Sequence, residues 1–234
     1  MTSDLPTEIT PLALLRLAQL SDSAFPSGGF AFSGGLETLV HEGAVVGDAA
    51  MEDFVRTQVL PRWMGIDRWF LNRAHDVAAL DDAAAQLAEL DVLCKAHNLS
   101  APLSEASARM GRAALTSALR IGIAPAAVHA AQVKAGTAPG HLPVVQGLLG
   151  RALEMPVAAV EAAALHAMLM GTLGAAVRLG KMGALGAQTV LLRLGPLAAA
   201  QLEAPPMDAP AAFCPLADIA AARRSRLTTP LFAA

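Results

Sequence analysis

From Val157 to Val177 the chain runs almost without polar interruption, and Glu161 and His166 are its only ionisable residues. A stretch this long and this apolar suits either the hydrocarbon of a bilayer or the middle of a helical bundle. Two ionisable side chains close to its centre argue against the bilayer, where such groups are costly. A central buried helix of a large bundle, or a helix in a subunit interface, is therefore expected, with His166 as a hydrogen-bonded core residue.

The rest of the 234 residues agree with that expectation. Hydrophobic residues make up 54% of the chain and mean hydropathy is +0.47, enough for a substantial core, while aromatics are only 4% and Tyr is absent. An Ala- and Leu-rich chain with few β-formers favours close-packed helices over sheets. We expect an all-α, bundle-like domain of about ten helices over residues 1–204. A Pro-rich linker, short helix and tail over 205–234 follow as a tethered C-terminal arm, because Ala204-Pro-Pro-Met-Asp-Ala-Pro210 carries three prolines in seven residues.

Helix punctuation gives the intermediate boundaries. Pro11 precedes a short helix over Leu12–Leu20, Asp48 caps a segment that runs to Leu60, and Pro61 separates it from Arg62–Val77. Asp81 or Asp82 starts the next helix, which ends near Cys94. Ser100 and Pro102 open a long one to Ile121, and Pro125 and Gly136 bracket another. Leu142–Leu153 and Val157–Lys181 are divided at Pro156. Gly183 and Gly186 interrupt before Ala187–Leu194, Pro196 begins a further helix, and Leu216–Arg226 is the last.

Between the first two helices lies Ser21-Asp-Ser-Ala-Phe-Pro-Ser-Gly-Gly-Phe-Ala-Phe-Ser-Gly-Gly-Leu-Glu37. Pro26 fixes a torsion, the two glycine pairs permit positive φ, and Phe25, Phe30 and Phe32 either pin the loop to a core or are offered to a partner. Glu37 stands where the next helix begins, so its carboxylate is placed to cap free N–H groups.

This segment closely resembles the signature of the UreF family of urease accessory proteins at Pro26, Gly28, Gly29, Phe30, Phe32, Ser33, Gly35, Leu36 and Glu37. Met110-Gly111-Arg112, His141-Leu-Pro-Val-Val-Gln-Gly147, Ala175-Ala-Val-Arg-Leu-Gly180 and Leu231-Phe232 follow in family order. The resemblance implies a helical, cytoplasmic adaptor that works as a homodimer. It would bridge the GTPase-type and D/H-type accessory proteins so that nickel reaches apo-urease. The resemblance makes Pro26, Gly28, Gly29, Phe30, Phe32 and Glu37 candidate partner contacts, together with Arg226, Leu231 and Phe232; Arg178 and Lys181, a cationic spot at the end of the hydrophobic helix, either complement the helix dipole or join that set. The family tail usually carries an arginine where this chain has Pro230, which leaves Arg226 as the nearest cation and Leu231 and Phe232 as an apolar anchor.

Several function classes lack their chemistry. No phosphate-binding Gly-x-x-x-x-Gly-Lys loop, dinucleotide fingerprint, nucleophile elbow or His-Glu-x-x-His occurs, so neither a catalytic residue nor a bound cofactor is assigned. A net charge of −3 offers no bulk attraction to nucleic acid or anionic membrane, and the acidic N-terminus does not read as an export signal. Cys94 and Cys214 form no disulfide framework. No metal site is assigned; the resemblance implies that nickel is handled by the complex. Cys94 with His97 is the nearest approach to a nickel site, so a metallochaperone is one alternative and a helical enzyme of unknown chemistry another. Arg109, Arg112, Thr116 and Arg120 fall on one helix stripe, which either solvates an exposed face or docks to an acidic partner.

Overall fold

Each apolar run folds as a helix, and among the described residues there is no strand. The computed structural model describes residues 9–22, 24–29 and 32–232. Helix α1 (Pro11–Ser21) is capped by the Thr10 hydroxyl and packs on α10 (Val157–Arg178). After α2 (Leu36–His41) comes a continuous helical run: α3 (Gly47–Phe54), a π turn (Val55–Val59), α4 (Leu60–Arg62), a second π turn (Trp63–Asp67) and α5 (Arg68–Val77). Then follow α6 (Ala83–His97), α7 (Ala101–Arg120), α8 (Ala127–Ala135), α9 (Leu142–Ala152), α11 (Ala184–Glu203) and α12 (Pro215–Arg223). Reading α3 to α5 as one helix leaves ten among the described residues.

Two prolines expected to end helices do not. Pro61 has no N–H to give, yet the chain passes through it because π turns on both sides widen the ladder: the Leu60 N–H bonds the Val55 carbonyl and the Arg68 N–H bonds the Trp63 carbonyl. Pro196 lies inside α11, with Gly186 also helical. Only one face of α11 is buried, through Ala187, Val190, Leu194 and Ala198. The carbonyl that loses its partner at Pro196 belongs to Leu192, a residue 79% exposed, so water replaces the missing donor.

Two apolar clusters fill the interior. One joins α2, α3, α10, α11 and α12 around Leu36, Phe54, Trp63, Leu165 and Leu173; the other joins α5, α6, α7 and α9 around Phe70, Leu115 and Leu148. Helices α5 and α9 touch at Gly147, where an added Cβ would run into the Leu71 carbonyl and lie 2.8 Å from the His75 amide nitrogen. Gly111 is approached in the same way by the Gly140–Leu142 backbone. Those two family-motif glycines are therefore close-packing positions.

Helix α10 is the expected core helix on one side only. Half of its most apolar window is buried, and His166 is exposed, which corrects its reading as a core residue. Glu161 is the buried ionisable group among the described residues of α10 instead, and Arg68 explains it. The guanidinium lies 2.7 Å from the Glu161 carboxylate and donates to the carbonyls of Gln201, Leu202 and Ala204 at 3.0, 2.8 and 2.9 Å. Asn72 adds a bond of 2.5 Å to the same carboxylate. One arginine thus neutralises α10 and satisfies the open carbonyls at the end of α11.

The C-terminal residues are embedded where a tethered arm was expected. The Ala211 N–H bonds the Gly65 carbonyl at 2.9 Å, and Trp69 Nε1 donates to the Asp208 carbonyl at 3.3 Å. Gln58 accepts the Ala217 N–H at 3.3 Å, Arg62 faces Asp218 at 3.6 Å, and Phe232 joins the first cluster with only 5% exposure. The π turns make this possible, since Gln58, Arg62 and Gly65 all come from or between them. A proline-rich sequence reports chain stiffness; the pairing of its backbone depends on what lies opposite.

A candidate docking site where the signature loop meets the tail

Gly34 and Gly35 take φ of 60° and 89°, turning the chain into α2. At Gly35 a Cβ would stand 2.7 Å from the Ala217 carbonyl oxygen and 3.1 Å from the Ala221 nitrogen, so the absent side chain lets α12 lie directly on the loop. Capping of α2 falls to Ser33, whose hydroxyl accepts the Glu37 N–H at 3.4 Å. The Glu37 carboxylate, expected to cap, is turned elsewhere. Buried at 5% exposure, it accepts the Leu231 N–H and, at 3.4 Å, the Phe232 N–H. Arg224 stands 3.8 Å from the same carboxylate and donates to the Phe232 carbonyl. The Arg178 guanidinium lies 4.7 Å over the Phe232 ring.

The sequence candidates thus divide. Glu37, Arg178, Leu231 and Phe232 come together at one junction, with Phe232 inside and the Leu231 side chain outside at 62% exposure. Arg226 and Lys181 are exposed, whereas Arg178 is half-buried. Pro26 and Gly28 are exposed on the far part of the loop, where the Pro26 carbonyl accepts the Ser117 hydroxyl at 3.0 Å. Gly29 lies against Met110, and Phe32 lies 5.9 Å from the Arg109 guanidinium. Phe30 is outside the described residues. Arg109, Arg112, Thr116 and Arg120 are all exposed on α7, as their spacing implied.

Beneath the loop, between the two clusters, is a mainly apolar cavity of 220 Å³, walled by Phe25, Phe32, Met110, Leu149 and Met168. Its polar end holds Asp67, Asn98 and Arg62, with Arg62 bonded to the Asn98 side-chain oxygen. Burial raises Asp67 to about 6, partly opposed by the Arg62 charge. The fold therefore favours the protonated acid, and the penalty for ionising it is absent below the unfolded carboxylate value near 4 and complete above about 6. Asp67→Asn is expected to stabilise the chain by about 1–2 kcal/mol at pH 7.5, a gain that fades toward pH 4. Urea unfolding at both ends of that range checks it; a gain that grows on acidification contradicts the assignment.

A second polar cluster lies behind α9. Asp91 accepts the N–H groups of Gly140 and His141 at 2.6 and 2.8 Å, and His129 Nε2 is 3.2 Å from it. Burial lowers the His141 pKa, with Asp91 opposing. The Cys94 thiol is fully buried and pushed well up, first by burial and then by Asp67 and Asp91. His97 packs against the Phe70 ring. Among the described residues no group of three or more His, Cys, Asp or Glu is placed to hold a metal ion. Arg68, Asp91 and Glu161 carried no motif or spacing that singled them out in the sequence, beyond the oddity of a carboxylate in an apolar helix.

Comparison with known proteins matches these features to one family. The sequence model of UreF matches residues 45–195. The chain is 33% identical over 229 residues to a protein of Cereibacter sphaeroides (strain KD131 / KCTC 12085) named urease accessory protein UreF, covering 94% of this chain and 98% of that one. It is 33% identical over 165 residues to the protein of the same name from Arthrobacter sp. (strain FB24), with 70% of each covered. The Cereibacter sphaeroides match, over nearly the whole length, extends well beyond residues 45–195. The chain therefore belongs to the UreF family of urease accessory proteins, which support urease maturation and are not themselves enzymes.

Proposed function

We propose that the chain is a cytoplasmic adaptor that bridges the GTPase-type and D/H-type urease accessory proteins, so that nickel is delivered to apo-urease. The observation that carries this reading is the junction of loop and tail, the two segments that resemble the family's docking elements, at Glu37. A surface assembled from both ends of the chain suits one protein partner, here the D/H-type. The end of α10, with the exposed Lys181 nearby, is left for the GTPase. Two copies act together in the complex: Leu185 and Leu192, 84% and 79% exposed and two turns apart on α11, offer an apolar stripe to a second copy.

A nickel-carrying role for Cys94 and His97 is disfavoured because a thiol buried this deeply resists the deprotonation that nickel binding needs. An enzyme is disfavoured by family membership and by the pairing of Arg62 with Asn98 and Asp218 at the polar end of the cavity.

Co-purification of the full chain with both partners tests the adaptor, with light scattering to count copies. Because α12 fills part of the core, the informative truncation ends at Leu227 and removes only the tail. Loss of the D/H-type protein with retention of the GTPase is the expected result. Retention of both would remove the tail from the interface, and one copy per complex would dismiss the dimer.

A further inference from the structure

We infer that Glu37 is a positioning residue, which acts on a partner through the tail and does not touch it. This rests on the adaptor reading above and assigns how its D/H-type interface is built. The carboxylate of Glu37 is buried, and its two oxygens are taken up by the backbone N–H groups of Leu231 and Phe232. Nothing of that carboxylate is left to present. Holding both N–H groups fixes the backbone of two successive residues, one of whose side chains is buried and the other exposed. Phe232 is turned into the core beneath Arg178, and Leu231 is turned out.

Arg224 completes the hold by taking the Phe232 carbonyl, so the tail is bound through both backbone donors and an acceptor. This recognition reads backbone, and it explains how Pro230 is tolerated next to it: proline has no N–H to donate, and none of these bonds needs one from that position. The outward Leu231 stands beside a loop whose own position is set by the contact of Gly35 with α12. Loop and tail therefore form one preassembled surface with Leu231 as its apolar knob and the exposed Arg226 as the nearby cation. The matching partner feature is an apolar pocket with carboxylates at its rim. Preassembly matters because a free tail would lose conformational entropy on docking, whereas a held one has already done so.

The test is a double-mutant cycle on affinity for the D/H-type accessory protein, using Glu37→Ala, Leu231→Ser and the pair, with amide exchange of residues 227–232 followed in each. Leu231→Ser changes an exposed side chain, so it should weaken binding about tenfold with exchange unaltered. Glu37→Ala should weaken binding to a similar degree, about tenfold, while the tail amides lose protection and those of α9 and α10 keep theirs. Glu37→Gln, which keeps one acceptor oxygen, should restore part of both. The double variant should bind no worse than the weaker single one, because both changes remove the same presented knob.

Additive losses would mean that Glu37 contacts the partner directly or acts elsewhere, and would overturn the inference. So would a Glu37→Ala variant that frees the tail yet binds equally well or more tightly. Failure of the wild-type chain to form any complex would remove the adaptor reading and this inference with it, whereas a complex indifferent to these changes would remove the inference alone.

Discussion

Arg68→Met should lower stability by about 3–5 kcal/mol, the range for stripping one partner from a buried ion pair. The substitution keeps the aliphatic stem, so packing changes little and the loss is electrostatic. Glu161 would be left buried with only Asn72 to bond, and the carbonyls of Gln201, Leu202 and Ala204 would lose their donor. In a chain of this size that is a fall in melting temperature of roughly 10 °C. Replacing both partners, as Arg68→Met with Glu161→Leu, should recover part of the loss, since a buried pair exchanged for apolar groups is often neutral. Recovery should be incomplete because the three carbonyls at the end of α11 and its cap stay unsatisfied. Thermal unfolding of the single and double variants measures this, and a single variant within about 1 kcal/mol of wild type would show that water reaches the site.

Gly147→Ala should be nearly as damaging although it adds one methyl group. The added carbon would overlap the Leu71 carbonyl and sit 2.8 Å from both the Ala74 Cβ and the His75 nitrogen. None of those atoms is the end of a flexible side chain, so α5 and α9 must separate along their whole contact. A cost of about 3 kcal/mol is expected, at the upper end for overpacking. Gly171→Ala supplies the control. It lies inside α10 with nothing within 4 Å of the added carbon, and there alanine should stabilise by about 0.5–1 kcal/mol through helix propensity alone. Denaturant midpoints of the two variants should move in opposite directions. Movement in the same direction would mean that backbone proximity at Gly147 is not what demands glycine.

The same pair shows how far the primary structure could be read. Both glycines lie in predicted helices, and nothing local distinguishes the one pressed against another backbone from the one in open space. Family resemblance pointed to Gly147 and Gly111, but only the approach of α5 to the first and of the Gly140–Leu142 backbone to the second gives the physical reason. For Glu37 the position was legible and the role was not. Its place at the start of α2 suggested a cap, yet Ser33 makes the capping bond, and the carboxylate reaches residues 194 and 195 positions away.

What the amino acids determined alone is local: helical class, most helix limits, the turn at Gly34-Gly35 and the family itself. These follow from torsional preference, donor loss at proline and short-range apolar periodicity, all of which act within a few residues. The tertiary structure decided which interruptions were real. Pro61 is absorbed by π turns and Pro196 by solvent, while Pro156 does separate two helices. It also decided which charges are buried, because Arg68 and Glu161 meet across 93 residues of chain. Whether a missing hydrogen bond or a buried carboxylate can be tolerated depends on the atoms that face it, and those are set only when distant segments pack together.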